Sequence, residues 1–213
     1  MECEVHYPAP TQAAPGPFDL FMTYRDHADV PAQYCGPEMV APMRRPAGPK
    51  TARRPVACFI SALIDRSGRT AYLRELMRHI EVDCYGQLLR NAELPQDLGR
   101  TTKLAVIGGY KFTLAFENAR APDYVTEKLY DPLIAGSVPV YLGAPNVADF
   151  VPGADCYIDV DDFASPRELA AHLAALDGDD AAYARLFEWK RAPFSAAFER
   201  RIERQRVNPW VRL

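Results

Sequence analysis

Short apolar runs alternate along the chain with segments of helical periodicity, and this alternation limits the possible folds more than any other feature of the sequence. Buried strands are predicted over residues 56–60, 82–85, 112–116, 138–142 and 156–160, and helices over residues 69–80, 98–106, 126–135, 165–176 and 179–190. Strands that are separated by helices pair in parallel. We therefore predict an α/β protein with a doubly wound parallel sheet, whose ligands bind beyond the carboxyl ends of the strands.

The two ends of the chain differ in composition from this central part. Ten of the 19 prolines fall in residues 1–55, which predicts loops and a linker around one strand over residues 18–24. Near the other end, Phe194, Phe198 and Ile202 recur every four residues among arginines, as in an amphipathic basic helix. Such a helix either packs on the body of the protein or lies on an anionic membrane, and the sequence leaves both open.

Charge and cysteine content exclude several classes of protein. The net charge of −3 argues against nucleic-acid binding, so no nucleic-acid partner is expected. No apolar run is long enough to span a bilayer, and the acidic first residues do not resemble a secretory signal. The five cysteines are far apart in sequence, and an odd number is typical of a reducing compartment. These features predict a cytoplasmic protein.

One segment carries an unusual set of polar side chains. The strand predicted at 112–116 places Glu117 and Asn118 at the carboxyl edge of the sheet, and Tyr124, Glu127 and Lys128 follow around the start of the next helix. A lysine in a first turn opposes the helix dipole, whereas the free N–H groups there favour an anion. A phosphate held between them explains the lysine. The alternative is a solvated Glu–Lys pair on a helix surface.

Neither of the two common nucleotide-binding fingerprints, GxGxxG after a strand and the P-loop, is present in the sequence. The segment does contain YKFTLAFEN (residues 110–118), DYVTEKL (residues 123–129) and AGSVPVYLG (residues 135–143). These three stretches closely resemble the signature of the α1,3/α1,4-fucosyltransferase family. Weaker similarity extends the resemblance to about residues 18–192.

The resemblance implies the GT-B architecture, in which two Rossmann-like domains face each other and the C-terminal one binds GDP-fucose. On that basis residues 1–50 are predicted to be a remnant of the N-terminal acceptor domain with its linker. Residues 51–193 would form the GDP-fucose-binding domain and residues 194–213 a basic tail. Bacterial family members suggest a cytoplasmic enzyme that is peripheral to the inner face of a membrane.

The resemblance also assigns roles to particular residues. Arg69 and Lys128 would contact the diphosphate, and Asn118, Tyr124 and Glu127 would line the nucleotide and fucose site. The implied reaction is an inverting transfer of fucose to a hydroxyl, expected to be O3 of GlcNAc or glucose in a lactosamine-like glycan. Two fixed cations at the leaving group make a metal cofactor possible but not obligatory. The DxD-like residues 159–161 are a weak metal candidate beside a solvated acidic loop.

One part of the sequence departs from the family pattern. Family members carry a Glu-Ser-Pro-like motif whose glutamate is the expected catalytic base, and this chain has His6-Tyr7-Pro8 in that place, with Glu4 nearby. His6 is therefore the candidate base, and a solvated terminal histidine is the alternative. Two other functions stay open: a catalytically incomplete donor-binding half, and a related glycosyltransferase that uses another sugar nucleotide.

Overall fold

The computed structural model describes Cys3, Val5, His6 and residues 20–94 and 96–212. Its strands are β1 (Met22–Thr23), β2 (Val30–Pro31), β3 (Val56–Cys58), β4 (Val82–Cys84), β5 (Phe112–Phe116), β6 (Val138–Leu142) and β7 (Ile158–Asp159). Its α-helices are α1 (Val40–Met43), α2 (Arg69–Leu76), α3 (Arg100–Gly108), α4 (Glu127–Ala135), α5 (Pro166–Gly178), α6 (Asp180–Arg185) and α7 (Ala196–Arg204).

Five of these strands form one parallel sheet in the order β4-β3-β5-β6-β7. The predicted α/β fold with a parallel sheet is therefore confirmed. The chain moves from β3 to its neighbour β4 on one side and then returns to β5 on the other side of β3. This reversal opens a crevice beyond the carboxyl ends of β3 and β5, which is where open α/β sheets bind their ligands.

Strands β5 and β6, at the centre of the sheet, are buried on both faces. Every residue of β5 and of β6 is buried, so the alternation of Phe112, Leu114 and Phe116 marks two different core faces rather than a core face and a solvent face. Helix α4 connects these strands. It follows the cap Thr126, whose side chain accepts the Lys128 N–H, and ends before Gly136 with φ +78°, close to the predicted residues 126–135.

Helix α2 begins at Arg69, as predicted, and ends at Leu76, before the predicted residue 80. The sequence also predicts Ser67 as its cap, but the Asp65 carboxylate accepts the backbone N–H groups of Ser67, Gly68, Arg69 and Thr70 instead. Burial opposes the charge on Asp65, yet these hydrogen bonds lower its pKa to about 2. The Ser67 hydroxyl donates to the Glu117 carbonyl oxygen at 2.7 Å. The loop before α2 is therefore fastened to the carboxyl end of β5.

The segment before the central sheet contains less strand than predicted. The strand expected over residues 18–24 is reduced to β1, and residues 18 and 19 lie outside the described residues. β1 pairs in parallel with β2, and Tyr24, which follows β1, packs edge-to-face on Tyr124 with the ring centroids 5.1 Å apart. Cys3 joins this small cluster.

The amphipathic C-terminal helix packs on the body of the protein. Phe194, Phe198 and Ile202 are all buried, and the guanidinium groups of Arg201 and Arg204 pair with Asp26 at 3.2 and 2.7 Å. Phe194, Phe198 and Ile202 thus pack on the body of the protein, which is one of the two possibilities that the sequence left open. Contact of this helix with a membrane stays a prediction.

The division into residues 1–50, 51–193 and 194–213 also stays a prediction. Within the described ranges, no helix has the length and apolar character needed to cross a bilayer.

Two lysines, the partly buried Lys50 and the buried Lys190, donate to carbonyl oxygens at or near the C-terminal ends of helices. The Lys50 ammonium donates to the carbonyl oxygens of Gly108 and Gly136, and the Lys190 ammonium donates to those of Met43 and Leu133. Burial lowers the pKa of Lys190 to about 8. Burial, together with the charge of Lys190, lowers the pKa of Lys50 to about 8 as well.

These pKa values predict a pH dependence of stability. The folded pKa of Lys190 lies below its unfolded value of 10.5, so between pH 8 and 10 the unfolded chain binds more protons, and the Lys190 contribution to the free energy of unfolding rises with pH. We expect the stability difference between the wild type and Lys190→Met to grow by about 1–2 kcal/mol from pH 7.5 to 9.5. Urea denaturation at both pH values measures it. A stability difference that stays constant between the two pH values would contradict the prediction.

Candidate functional site

A cavity of about 520 Å³ lies beyond the carboxyl ends of β3, β4 and β5. The lining residues come from the loops that follow these strands and β2, and from the first turns of α2, α3 and α4: Tyr34, Phe59, Ile60, Ser61, Ala62, Arg69, Tyr85, Gly86, Leu94, Asp97, Gly99, Lys103, Asn118, Tyr124, Thr126, Glu127 and Lys128. The cavity therefore occupies the crevice that the strand order creates.

Five residues predicted for the site lie in the wall of this one cavity. They are Arg69, Asn118, Tyr124, Glu127 and Lys128. Arg69 is distant from the others in sequence, and its place at the start of α2 brings it next to the end of β5. The roles assigned to these residues stay predictions, but their convergence means that one ligand can contact all five.

The Lys128 ammonium is held among three oxygen-bearing side chains. It lies 3.3 Å from Glu117 Oε2, 3.2 Å from Glu127 Oε1 and 3.0 Å from Thr126 Oγ1. Burial favours the neutral amine, but the two carboxylates outweigh it and hold the pKa of Lys128 above its ordinary value. The group is therefore a fixed cation at neutral pH.

Glu117 holds both Lys128 and Thr126 in place. Its side chain is fully buried, and it accepts the backbone N–H of Thr126 at 2.8 Å and the Thr126 hydroxyl at 2.9 Å. Thr126 caps α4, so Glu117 fixes both the start of that helix and the ammonium of Lys128. The sequence analysis noted Glu117 at the strand end but assigned it no role.

Arg69 is more constrained than the sequence suggested. Its guanidinium is fully buried and donates to the carbonyl oxygens of Phe116, Ala62 and Ile64 at 3.1, 2.6 and 3.0 Å. Its Nε has no hydrogen-bond partner among the described residues. The side chain thus joins the loop after β3 to the end of β5, with one buried N–H group left unpaired by the part of the chain that the structure describes. Contact with a diphosphate stays a prediction.

A second polar atom in the cavity wall also lacks a partner. The Asn118 side chain is 6% exposed, and its Oδ1 accepts no hydrogen bond from the residues that the structure describes. Buried polar atoms are normally satisfied, and an exception needs a physical reason. Hydrogen bonds with a ligand, donated to Asn118 Oδ1 and accepted from Arg69 Nε, are such a reason.

His6 does not appear in the cavity wall. It is half-buried, its backbone N–H donates to the Cys3 carbonyl oxygen at 2.9 Å, and its Nε2 is buried without a partner among the described residues. Cys3 packs in the cluster that contains Tyr124, one of the lining residues. Its role as a base stays a prediction, and Glu4, Tyr7 and Pro8 lie outside the described residues.

Four further lining residues were missed by the sequence analysis. Phe59 and Tyr85 stack with ring centroids 4.8 Å apart and planes 19° apart. Asp97 lies in the loop before α3, and Lys103, in α3, pairs with the buried Asp131 at 2.9 Å. The rule that ligands bind beyond strand ends could have pointed to Tyr85, which directly follows β4. No sequence pattern around Asp97 or Lys103 indicated that these residues line the cavity.

The DxD-like residues have other partners. Asp159 Oδ1 accepts the Asp161 N–H at 3.0 Å, and Asp161 pairs with Arg120. Within the described part of the chain, no group of three or more His, Cys, Asp or Glu side chains is arranged to hold a metal ion.

Comparison with known proteins agrees with the geometry. Residues 49–210 match the family model for the C-terminal part of glycosyltransferase family 10 (fucosyltransferase). A protein from Canis lupus familiaris named GDP-fucose protein O-fucosyltransferase 3 is 40% identical over 188 residues, which are 81% of this chain and 39% of that protein. Its Homo sapiens counterpart is 48% identical over 130 residues, which are 58% of this chain and 27% of that protein. The chain thus spans well under half the length of these curated relatives.

Solved structures resemble the fold. The crystal structure of an α1,3-fucosyltransferase with GDP-fucose has a TM-score of 0.56 and 22% identity, covering 73% of this chain and 42% of that one. A structure of an α1,3-fucosyltransferase with GDP has a TM-score of 0.54 and 22% identity, covering 77% and 48%. At this identity the likeness supports the GT-B type of fold and no finer property.

The comparisons overturn the expected location. A cytoplasmic protein of bacterial type, peripheral to the inner face of a membrane, was predicted, and this is wrong. The curated relatives are animal proteins, and they are enzymes of the secretory pathway. The cysteine count and the composition of the first residues were therefore poor guides to the compartment.

Proposed function

Because the chain belongs to glycosyltransferase family 10, the fucosyltransferases, we propose that its cavity binds GDP-fucose and that the protein transfers the fucosyl group to an acceptor hydroxyl. The observation that carries the proposal is the fixed ammonium of Lys128 beside two unsatisfied polar atoms, Asn118 Oδ1 and Arg69 Nε, in one cavity. A diphosphate and a sugar together offer the acceptors and donors that these groups lack.

Charge explains how such a cavity would promote the transfer. As the bond between fucose C1 and the β-phosphate oxygen breaks, negative charge grows on the departing GDP. A cation fixed beforehand stabilises that charge without reorganising, and Lys128 is held in that way by Glu117 and Glu127. The proposal therefore requires no metal ion at the leaving group. Glu127 and Asn118 are suited to hold hydroxyl groups of the ribose or the sugar.

The second half of the reaction needs a base. The acceptor oxygen forms the new bond to C1 on the opposite face, with inversion, and its proton passes to the base. We assign this role to His6, because its buried Nε2 has no partner among the described residues and its neighbour Cys3 packs beside Tyr124. Activity that survives in His6→Ala would remove this assignment and leave donor binding untouched.

The acceptor is best sought among proteins. The curated relatives are named protein O-fucosyltransferases, which favours a hydroxyl on a polypeptide over O3 of GlcNAc or glucose in a glycan. A transfer assay with folded secreted proteins and with N-acetyllactosamine, both with GDP-fucose as donor, separates the two. Transfer to the glycan alone would favour the acceptor that the sequence analysis expected. Donor binding without transfer to either would favour a donor-binding half that does no chemistry.

Donor binding is testable without knowing the acceptor. At 100 times its Kd, a ligand that binds only the folded protein adds about 2.7 kcal/mol of stability. For a chain of this length that corresponds to a rise in Tm of about 5–10 °C. We expect GDP-fucose and GDP to produce this rise in a thermal-shift assay and UDP to produce none. An equal rise with UDP would contradict a guanine-nucleotide donor.

A further inference from the structure

Two cysteines lie side by side in the central sheet. Cys58 is the last residue of β3 and Cys84 the last residue of β4, and the two are register partners in this parallel pair of strands. Register partners in parallel strands face the same side of a sheet. Both side chains are fully buried, in the core that Leu73 and Leu76 of α2 cover. The strand order therefore brings together two thiols that are far apart in sequence.

The two sulfur atoms are within reach of each other. Neighbouring strands are about 4.8 Å apart, and residues joined by a disulfide have Cα atoms about 4.4–6.8 Å apart. The Cys58 thiol donates a hydrogen bond to the Cys84 sulfur. This bond, together with burial, raises the pKa of Cys58, and the same bond outweighs burial at Cys84 and lowers its pKa. Cys84 is therefore the member of the pair that becomes a thiolate first.

The other three cysteines have different neighbours. Cys3 Sγ lies 3.6 Å from the Tyr24 hydroxyl, and Cys35 forms a hydrogen bond with Tyr130. Cys156 precedes β7, outside the residues that pair in the sheet. All five cysteines carry free thiols in this structure. These three thiols therefore serve as internal references for any chemistry that is specific to the pair in β3 and β4.

The position of the pair gives a covalent bond between them a structural effect. Strand β4 is the edge strand of the sheet and is joined to β3 over only three register pairs. The residues that follow the two cysteines, Phe59 and Tyr85, stack on each other in the cavity wall. A bond between Cys58 and Cys84 would tie the edge strand to its neighbour one residue before that wall, and would enclose helix α2 in a covalent loop.

We propose that Cys58 and Cys84 form a disulfide bond that ties β4 to β3, with a small-molecule disulfide such as glutathione disulfide as the oxidant. The Cys84 thiolate attacks one sulfur of the oxidant, which forms a mixed disulfide and releases one glutathione. The Cys58 thiolate then attacks Cys84 Sγ and releases the second glutathione. Two electrons pass from the protein thiols to the oxidant, and the two thiol protons end on the two released glutathione molecules.

Burial determines when this exchange takes place. Both thiols are enclosed in the folded protein, so the oxidant reaches them before β4 docks on β3, during folding. Disulfides form and persist in the secretory pathway, to which the curated relatives belong. The inference concerns the core of the sheet and does not depend on the proposed function.

Refolding of the full 213-residue chain in a buffer of glutathione and glutathione disulfide tests the proposal. Free thiols are then alkylated in denaturant, and the protein is digested and analysed by mass spectrometry without reduction. We expect Cys3, Cys35 and Cys156 to be alkylated, and one pair of peptides to be joined through Cys58 and Cys84. Alkylation of all five cysteines, or a disulfide between any other two, would overturn the proposal.

Two matched variants, each lacking one buried thiol, show what the bond does. Cys58→Ala should leave Cys84 alkylated, whereas Cys35→Ala should keep the disulfide. In the wild type and in Cys35→Ala, oxidation should raise the Tm by about 5 °C or more relative to the reduced protein, because the bond restricts the unfolded chain. Cys58→Ala should show no such rise. Equal Tm values for oxidised and reduced wild type would refute the tie between the strands, and peptide mapping of the wild type decides the pairing even if neither variant folds.

Discussion

Replacement of Lys128 by methionine is expected to weaken GDP binding by about 1.5–3 kcal/mol, a roughly 10- to 150-fold rise in Kd. The ammonium is part of the cavity wall, is held by Glu117 and Glu127, and keeps its charge at neutral pH. Methionine retains most of the volume of the side chain and removes only the charge and the donors. Calorimetric titration with GDP measures the effect.

The matched control for this variant is Lys111→Met. Lys111 is also a partly buried lysine that pairs with two carboxylates, Asp177 and Asp180, but it precedes β5 and so lies at the opposite edge of the sheet from the cavity. Its replacement should leave the Kd for GDP unchanged. An unchanged Kd in Lys128→Met as well would remove Lys128 from the binding site and with it the main support for the proposed function.

Arg69 is less suitable for the same experiment. Its guanidinium donates to three backbone carbonyl oxygens, which would be left unsatisfied and buried in Arg69→Ala. Each such oxygen costs about 1–3 kcal/mol. A loss of GDP binding in that variant would therefore not distinguish a missing ligand contact from a displaced loop.

The sequence predicted those parts of the fold that depend on neighbouring residues. The apolar runs of β5 and β6, and the end of α4 at Gly136, are local patterns with a direct physical cause. The start of α2 at Arg69 was predicted, but its capping side chain was not, because two candidate caps lie two residues apart. Asp65 can fold back on four successive N–H groups, whereas Ser67 is occupied by the carbonyl of Glu117 from a different strand.

The site residues that are close together in sequence were likewise predicted, and those that are far apart were not. Asn118, Tyr124, Glu127 and Lys128 fall within 11 consecutive residues, so a strand followed by a loop and a helix was sufficient to group them. Lys103 reaches the cavity only because α3 packs beside α4, where Asp131 holds its ammonium from 28 positions further along the chain. The orientation of a helix pair depends on side chains that are far apart in sequence, and no local pattern predicts it.

Replacement of Glu117 by glutamine is expected to lower the free energy of unfolding by about 1.5–3 kcal/mol, because it removes the buried charge from hydrogen bonds to Thr126 and leaves Lys128 with only the partly exposed Glu127 as its counter-charge. Glu117 is fully buried, and it bonds both to Lys128 and to Thr126, the cap of α4. Domains of this size have about 5–15 kcal/mol of stability in total, so the loss would be large. Urea denaturation in the absence of ligand measures it.

A double-mutant cycle separates the ion pair from the rest of the Glu117 environment. If the attraction between Glu117 and Lys128 causes the loss, Glu117→Gln combined with Lys128→Met should cost less than the sum of the single variants by about 1 kcal/mol or more. Glu127→Gln is the comparison: Glu127 lies at nearly the same distance from Lys128 but is 43% exposed, so its loss should cost less than about 1 kcal/mol. Additive single and double variants would instead assign the stability to the hydrogen bonds with Thr126. The Lys128 ammonium would then be free to move toward a bound phosphate without weakening the fold.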